Sequence, residues 1–164
     1  MFLQETYELE DCFYWNDGSS VTGLEIDSGV SCTSNGDYIT ITTNTSGEKF
    51  VRVPVSVNGN WEYSVELAKL GTTQHMTFVF NTTYWGAEDD SAVAVNLANS
   101  TTRYNHTPSV NDIIKVKYLN GVITTYINDT QLKTKSASIS NTKHGFFTNN
   151  GRVQNIKNIK VKAL

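Results

Sequence analysis

Apolar and polar residues alternate along most of this chain. Residues 38–43 (YITITT), 49–57 (KFVRVPVSV) and 61–67 (WEYSVEL) place an apolar side chain at about every second position. The same period continues in 74–80 and 91–97, and then through most of the last third of the chain. A period of two is typical of half-buried β-strands, and no stretch longer than a turn shows convincing helical periodicity. The chain is therefore predicted to be all-β, with no helix longer than about two turns.

Turn-forming pairs separate these predicted strands. Asn-Gly or Ser-Gly stands at 35–36, 46–47, 58–59, 120–121 and 150–151. Asn-Gly favours tight hairpins because both residues accept positive φ. Many short strands with such turns predict a two-sheet antiparallel jelly-roll sandwich. Because 164 residues fit one domain and no linker or internal repeat divides them, residues 1–164 are predicted to form a single domain.

The alternation also predicts which side chains fill the core. Within 49–57 the valines share one face, while Pro54 cannot donate a ladder hydrogen bond and therefore indicates an edge or bulged strand. The predicted core comprises Val51, Val53, Trp61, Tyr63, Val65, Met76, Phe78, Phe80, Val93, Val95, Ile114, Val116, Phe146 and Ile159.

Charge is distributed unevenly. Residues 1–100 carry three basic against fourteen acidic residues, a net of −11, and residues 101–164 carry ten against two, a net of +8. In a sandwich the strands of the acidic part and of the basic part interleave, so the charge asymmetry favours pairing between oppositely charged strands. An acidic chain without basic-aromatic clusters argues against a nucleic-acid partner. No apolar run could span a bilayer, and the first fifteen residues lack the regions of a signal peptide.

Two cysteines, Cys12 and Cys32, leave two readings open. Neither belongs to a CxxC pair, so no zinc site is predicted. They could form one disulfide, since the chain entry and the segment 24–32 are expected to lie near one another, or they could be two buried free thiols.

The second half of the chain resembles the concanavalin A-like (laminin G-like) jelly rolls. The resemblance lies in DIIKVKYLNGVITTYINDTQL, in HGFFTNNGRVQNIKNIKVKAL and in the opening LEDCFYWNDGSS. It implies that the last strand closes the domain beside the first. Many members bind glycans, some carry calcium, and similar Asn- and Thr-rich modules are appended to tail, baseplate and fibre proteins of phages and archaeal viruses and to adhesins. The resemblance thus implies a carbohydrate-binding module on a virion or at a cell surface.

A catalytic role is not predicted. Glucanases of the same superfamily carry Glu-x-Asp-x-x-Glu or Glu-x-Asp-x-Glu, whereas this chain reads Glu25-Ile26-Asp27-Ser28-Gly29-Val30. Retaining hydrolysis needs two carboxyl groups about 5–5.5 Å apart, and the second catalytic acid is missing here. The two acids are interpreted as the end of a strand before a Ser-Gly turn, and no residue is assigned as catalytic.

A polar row is predicted across one sheet. If 61–67 and 74–80 form a hairpin, Glu66 lies opposite His75, and the next hairpin sets His75 near Asn96. A further strand at 101–106 would add Arg103 or Tyr104. Above a floor of small alanines, these groups suit the hydroxyls of a sugar. The alternative is a solvated outer face with an incidental Glu–His pair, which antiparallel sheets commonly have.

The loop 81–90 (NTTYWGAEDD) is the other candidate ligand site. Tyr84 and Trp85 could stack on a sugar ring, and Asp89 and Asp90 could orient its hydroxyls. The acids could instead bind calcium, which takes six to eight oxygen ligands. Equally, Trp85 could fold back as a structural lid over the end of the sandwich.

Lysines alternate on three predicted strands, in the pairs Lys115/Lys117, Lys133/Lys135 and Lys160/Lys162. This pattern indicates a solvated face with charged edges that oppose aggregation. Taken together, the sequence favours a non-catalytic glycan-binding module. The alternatives are a structural domain that contacts other subunits of a virion or surface assembly, and a glycan-cleaving enzyme of the glucanase type.

Overall fold

The protein is an all-β sandwich of two antiparallel sheets, as the alternation predicts. The computed structural model describes residues 12–47, 49–69, 75–80, 94–98, 109–136, 138–140, 142–148 and 153–164, and for 75–80, 94–98, 133, 135, 147 and 148 it describes the backbone alone. The strands are β1 (Cys12–Asn16), β2 (Glu25–Ile26), β3 (Val30–Ser34), β4 (Ile39–Thr43), β5 (Lys49–Val57), β6 (Trp61–Lys69), β7 (His75–Phe80), β8 (Ala94–Ala98), β9 (Ile113–Leu119), β10 (Val122–Ile127), β11 (Thr130–Ser136), β12 (Thr142–Thr148) and β13 (Val153–Ala163). Within these described ranges, no helix is long and apolar enough to cross a membrane.

The two sheets differ in size. The larger has eight described strands, in the order β11-β10-β9-β6-β13-β4-β3, with β1 also paired to β13. The smaller has five, in the order β2-β5-β12-β7-β8. Since β1 pairs antiparallel with β13, the last strand lies beside the first, as the resemblance implies.

The core lies between the sheets and contains the predicted residues wherever their side chains are described. Met76, Phe78, Phe80 and Val95 belong to strands described by backbone alone, and Val93 lies outside the described residues. The confirmed core residues are Val51, Val53, Trp61, Tyr63, Val65, Ile114, Val116, Phe146 and Ile159.

The predicted hairpin between β6 and β7 is wrong. β6 lies in the larger sheet, where Glu66 has Ile113 and Lys157 as its cross-strand neighbours. β7 lies in the smaller sheet, between β12 and β8. The chain therefore changes sheets between the end of β6 and His75. Alternation does not reveal this change, because a strand of either sheet buries one face and exposes the other.

The register of β7 and β8 also differs from the prediction, by two residues. His75 lies opposite Ala98, and Asn96 lies opposite Thr77. These strands do pair, as predicted, so His75 and Asn96 belong to one sheet. Glu66 does not join them.

Ion pairs connect the acidic and basic parts of the chain. On β6, Glu62 binds Lys117 of β9 at 3.2 Å, and Glu66 binds Lys157 of β13 at 3.2 Å. The charge asymmetry therefore serves pairing between strands distant in sequence. Lysines on β9 and β13 alternate with core residues and are partly exposed, which agrees with the predicted solvated face.

Cys12 and Cys32 are not joined by a disulfide. Cys12 lies opposite Lys162 of β13, whereas Cys32 lies opposite Ile41, which in turn lies opposite Gln154 of β13. Eight residues of an extended strand span about 26 Å. A disulfide requires Cα atoms within about 7 Å, and this spacing along β13 excludes one. The chain entry and β3 do come near one another, as predicted, because Ser34 Oγ donates a hydrogen bond of 2.9 Å to the carbonyl oxygen of Gly18. The chain entry nevertheless pairs with β13 and not with the segment 24–32.

Candidate ligand-binding face

The candidate site is the outward face of the smaller sheet, where charged and aromatic side chains stand opposite the core. On β5, Val51 and Val53 are fully buried, so Phe50 and Arg52 belong to the outer face because side chains alternate along a strand. On β12, Gly145 is the register partner of Arg52 and so belongs to the same row, and it is buried like its neighbours His144 and Phe146. We call Glu25, Asp27, Phe50, Arg52, Lys143 and Gly145 the five-strand face.

Arg52 is held in place from two sides. Its Nη1 donates a hydrogen bond of 3.2 Å to Oδ1 of Asp27, and its guanidinium carbon lies 4.5 Å from the centroid of the Phe50 ring. Asp27 is itself fixed, because its Oδ2 accepts a 2.9 Å hydrogen bond from the backbone N–H of Phe50. The Arg52 and Asp27 side chains remain 35% and 34% exposed. The result is an oriented planar cation that solvent, or a ligand, can reach.

A second ion pair lies on the same face. Nζ of Lys143 donates to Oε1 of Glu25 at 2.6 Å, and Glu25 lies opposite Arg52 in the β2–β5 register. Glu25 and Asp27 thus end a short strand before a turn, as interpreted from the sequence, and each binds a basic side chain. Two acids and two bases leave this part of the face without net charge.

Gly145 lies against the backbone of β5, where no larger residue fits. A Cβ atom on Gly145 would lie 2.3 Å from the carbonyl oxygen of Val51. The close approach accompanies a bulge. Lys143 lies opposite Ser56 and Gly145 opposite Arg52, so residues 53–55 face His144 alone. The bulge predicted from Pro54 is therefore confirmed, in a strand that lies between β2 and β12.

The backbone register extends this face toward β8. Gly145 lies opposite Val79, and Val79 lies opposite Ala94. Neighbouring strands are about 4.8 Å apart, so the row from Glu25 to Ala94 spans roughly 19 Å. Thr77 and Asn96 occupy the next outward row of the same two strands.

Only part of the site predicted from the sequence lies within the described residues. Tyr84, Trp85, Asp89, Asp90 and Tyr104 lie outside the described residues, so these assignments stay predictions. Loop 81–90 connects β7 to β8 and therefore joins two strands of the smaller sheet. The calcium prediction concerns that loop as well, and the described part of the chain contains no cluster of three or more potential metal ligands.

Sequence reasoning missed most of the five-strand face. Arg52 is the one charged residue inside the valine alternation of 50–57, a signal that could have marked it. Gly145 stands between His144 and Phe146 in a strand, where glycine often marks a close backbone approach. Lys143 gave no signal, because its partner Glu25 is 118 residues away in sequence.

Several solved structures have a similar fold. The chain is similar to a protein of unknown function with a galectin-like fold from Bacillus subtilis (TM-score 0.67, 9% identity, 93% of this chain and 96% of that chain). It is also similar to the carbohydrate binding module CBM66 from Bacillus subtilis (TM-score 0.55, 11% identity, 87% of this chain and 96% of that chain). A third similar structure is the VIP36 exoplasmic/lumenal domain in its Ca²⁺/Man3GlcNAc-bound form (TM-score 0.59, 12% identity, 92% of this chain and 90% of that chain). Some similar structures are described as putative glycosyl hydrolases. No protein-family model and no curated protein matches the sequence. At these identities the similarity establishes the fold alone.

Proposed function

We propose that this domain binds a glycan on the five-strand face and does not cleave it. The observation that carries the proposal is the partly exposed Arg52 side chain, whose guanidinium is oriented by Asp27 and by the Phe50 ring. A guanidinium has five N–H donors in a fixed geometry, and Asp27 accepts from one of its nitrogens. An oriented donor group beside an aromatic ring suits a ligand rich in hydroxyl groups.

The charge balance of the face favours binding over hydrolysis. A glycosidase of the usual kind needs one carboxyl group protonated as an acid and a second as nucleophile or base. Asp27 instead accepts two hydrogen bonds, and Glu25 is bound to Lys143. Carboxylates already bonded to basic partners can orient hydroxyl ligands, and their hydrogen-bonding capacity is taken up by those partners. The lectin-like fold of the similar structures agrees with this proposal.

The proposed site continues beyond Ala94 into the part predicted from sequence. We include His75 and Asn96, whose strands belong to the same sheet, and loop 81–90 with Tyr84, Trp85, Asp89 and Asp90. Glu66 is not included, because it lies in the other sheet. Following the resemblance, we propose that the domain serves in a virion or at a cell surface, where it would contact host glycans.

The test is a glycan array with the full chain, followed by calorimetric titration of the best ligand against matched variants. Arg52→Ala removes the oriented donor, and Trp85→Ala removes the predicted stacking platform. Lys117→Ala is the control, because Lys117 has the same side-chain exposure of 35% and an ion pair of 3.2 Å, but on the larger sheet. We expect each site variant to weaken binding by about 2 kcal/mol, roughly thirtyfold, and the control to bind normally.

Stability measured on the same samples separates binding from folding. Ion pairs this exposed contribute less than about 1 kcal/mol, so Arg52→Ala and Lys117→Ala should melt close to the wild type. Unchanged affinity in Arg52→Ala would exclude the five-strand face. If no glycan binds at all, the proposal fails, and the alternative of a structural domain that contacts other subunits is favoured.

A further inference from the structure

His144 is a buried ionisable group that the proposed function does not use. It lies in β12, the central strand of the smaller sheet, and its side chain is fully buried between the sheets. Its ring packs edge-to-face with Trp61, at 4.4 Å between centroids and 83° between planes, and with Tyr63 at 4.9 Å and 62°. Neither ring nitrogen has a hydrogen-bond partner among the described residues.

The described neighbours of His144 include no acidic group that would stabilise a positive charge. β6 contributes Trp61 and Tyr63, and the Tyr63 hydroxyl already donates to the Gly145 carbonyl. Burial raises the pKa of Tyr63 well above its usual 10, so this group stays neutral. β5 contributes the bulge at residues 53–55, which contains only valine and proline. Of the described charged groups, the nearest in sequence is Lys143, which lies on the outer face and is bound to Glu25.

β7 supplies Phe80 as the register partner of His144, again without an ionisable group. Burial alone therefore lowers the pKa of His144 from 6.5 to about 3. In the closed sandwich the imidazole stays neutral until strongly acidic pH. Once β12 separates from β6, water reaches the imidazole ring and the pKa of His144 returns to its ordinary value of 6.5.

We propose that His144 makes the sandwich open in acid, because a proton on its ring is accepted only when β12 detaches from β6. The direction of this pH effect depends on whether the open or the closed state holds the proton. Between pH 6.5 and about 3 the open state is protonated and the closed state is not, so each unit of acidification favours opening by up to tenfold. Above pH 6.5 neither state is protonated and the effect vanishes. If the five-strand face binds a glycan, the same opening releases it, a consequence that rests on the proposed function.

The test needs no ligand and therefore stands apart from the glycan experiments. The folding equilibrium constant of the full chain is measured by urea titration between pH 8 and pH 4, in wild type and in His144→Phe. The other two histidines, His75 and His106, are present in both proteins and cancel in the ratio. We expect the constant of wild type to fall, relative to the variant, by about tenfold per pH unit below pH 6. Equal pH dependence in both proteins would overturn the proposal.

A second measurement on the wild type covers the case in which His144→Phe does not fold. The imidazole C–H resonances are followed by NMR as the pH is lowered, with His144 assigned through its contacts to Trp61 and Tyr63. We expect this resonance to stay at its neutral position until the protein opens. A normal titration near pH 6.5 in the folded protein would show that the ring accepts a proton without opening, and would overturn the proposal.

Discussion

The Tyr63 hydroxyl donates a hydrogen bond of 3.0 Å to the carbonyl oxygen of Gly145, across the space between the two sheets. Tyr63 is fully buried on β6, and Gly145 on β12 is the register partner of Arg52 in the five-strand face. The bond therefore ties the centre of the larger sheet to the backbone of the proposed ligand site. A carbonyl oxygen buried at this depth needs a partner, because its transfer from water is costly when unpaired.

Replacing Tyr63 by Phe should destabilise the protein by about 1–3 kcal/mol. The ring and its packing remain, while the Gly145 carbonyl loses its partner inside the sandwich. Chemical denaturation provides the free energy of unfolding. Tyr126→Phe is the matched control, because the Tyr126 ring lies on the solvated side of β10 near Lys115 and Lys117, and its change should stay within about 0.5 kcal/mol. Equal small effects in both variants would mean that this bond contributes nothing.

Gly145→Ala should destabilise the fold by more than the addition of a single methyl group suggests. The new Cβ would meet the Val51 carbonyl oxygen at 2.3 Å, and backbone atoms cannot move aside without separating β5 from β12. Overpacking of this kind costs about 1–3 kcal/mol or more. Ser56→Ala, at an exposed position of β5, is the control and should be close to neutral. A Gly145→Ala protein with wild-type stability would show that the bulge at Pro54 relaxes freely.

The strands and most of the core could be predicted from sequence, because burial on one face imposes a period of two on every strand. Val51, Val53 and Trp61 carry that signal directly. The same signal says nothing about which sheet a strand joins. The neighbours of β6 are β9 and β13, which lie 50 to 100 residues downstream, and the local assumption of a hairpin instead led to the wrong partner for Glu66.

The ligand face was harder to predict for the same reason. Its central ion pairs join Glu25 to Lys143 and Asp27 to Arg52, contacts that depend on sheet order and on the bulge at Pro54. An isolated arginine among valines indicates an exposed position but not its partners. The sequence singled out aromatic residues and acids in a loop, because stacking and hydroxyl binding are properties of single residues that can be recognised without knowing the fold.

Cys32 should react slowly with thiol reagents at neutral pH. Burial raises the pKa of its thiol to about 11, and the thiolate is the reactive species. In a Cys12→Ser variant, the rate of iodoacetamide labelling should rise about tenfold per pH unit between pH 8 and pH 10. Mass spectrometry follows the reaction. A rate that levels off near pH 9 would indicate an ordinary exposed thiol, and an intact mass lacking two free thiols in the wild type would contradict the unbridged cysteines.

Asn128 should stabilise the end of the larger sheet through its side chain as well as its backbone. Its Nδ2 donates to Oδ1 of buried Asp112 at 2.7 Å, and its Oδ1 accepts from the N–H of Ile113 at 2.8 Å. Its φ is 49°, in the left-handed region that asparagine and glycine tolerate. Asn128→Gly keeps that conformation and removes both hydrogen bonds, whereas Asn128→Ala also adds a left-handed penalty of about 1–2 kcal/mol.

The two variants of Asn128 therefore separate side-chain from backbone effects. We expect Asn128→Gly to lose about 1–3 kcal/mol of unfolding free energy, because Asp112 keeps only part of its hydrogen bonding. Asn128→Ala should lose about 1 kcal/mol more than Asn128→Gly. Urea titrations at pH 7 compare the three proteins. If Asn128→Gly were as stable as the wild type while Asn128→Ala was not, the left-handed backbone alone would explain the asparagine. The hydrogen bond from Asn128 to Asp112 would then contribute nothing measurable to the free energy of unfolding.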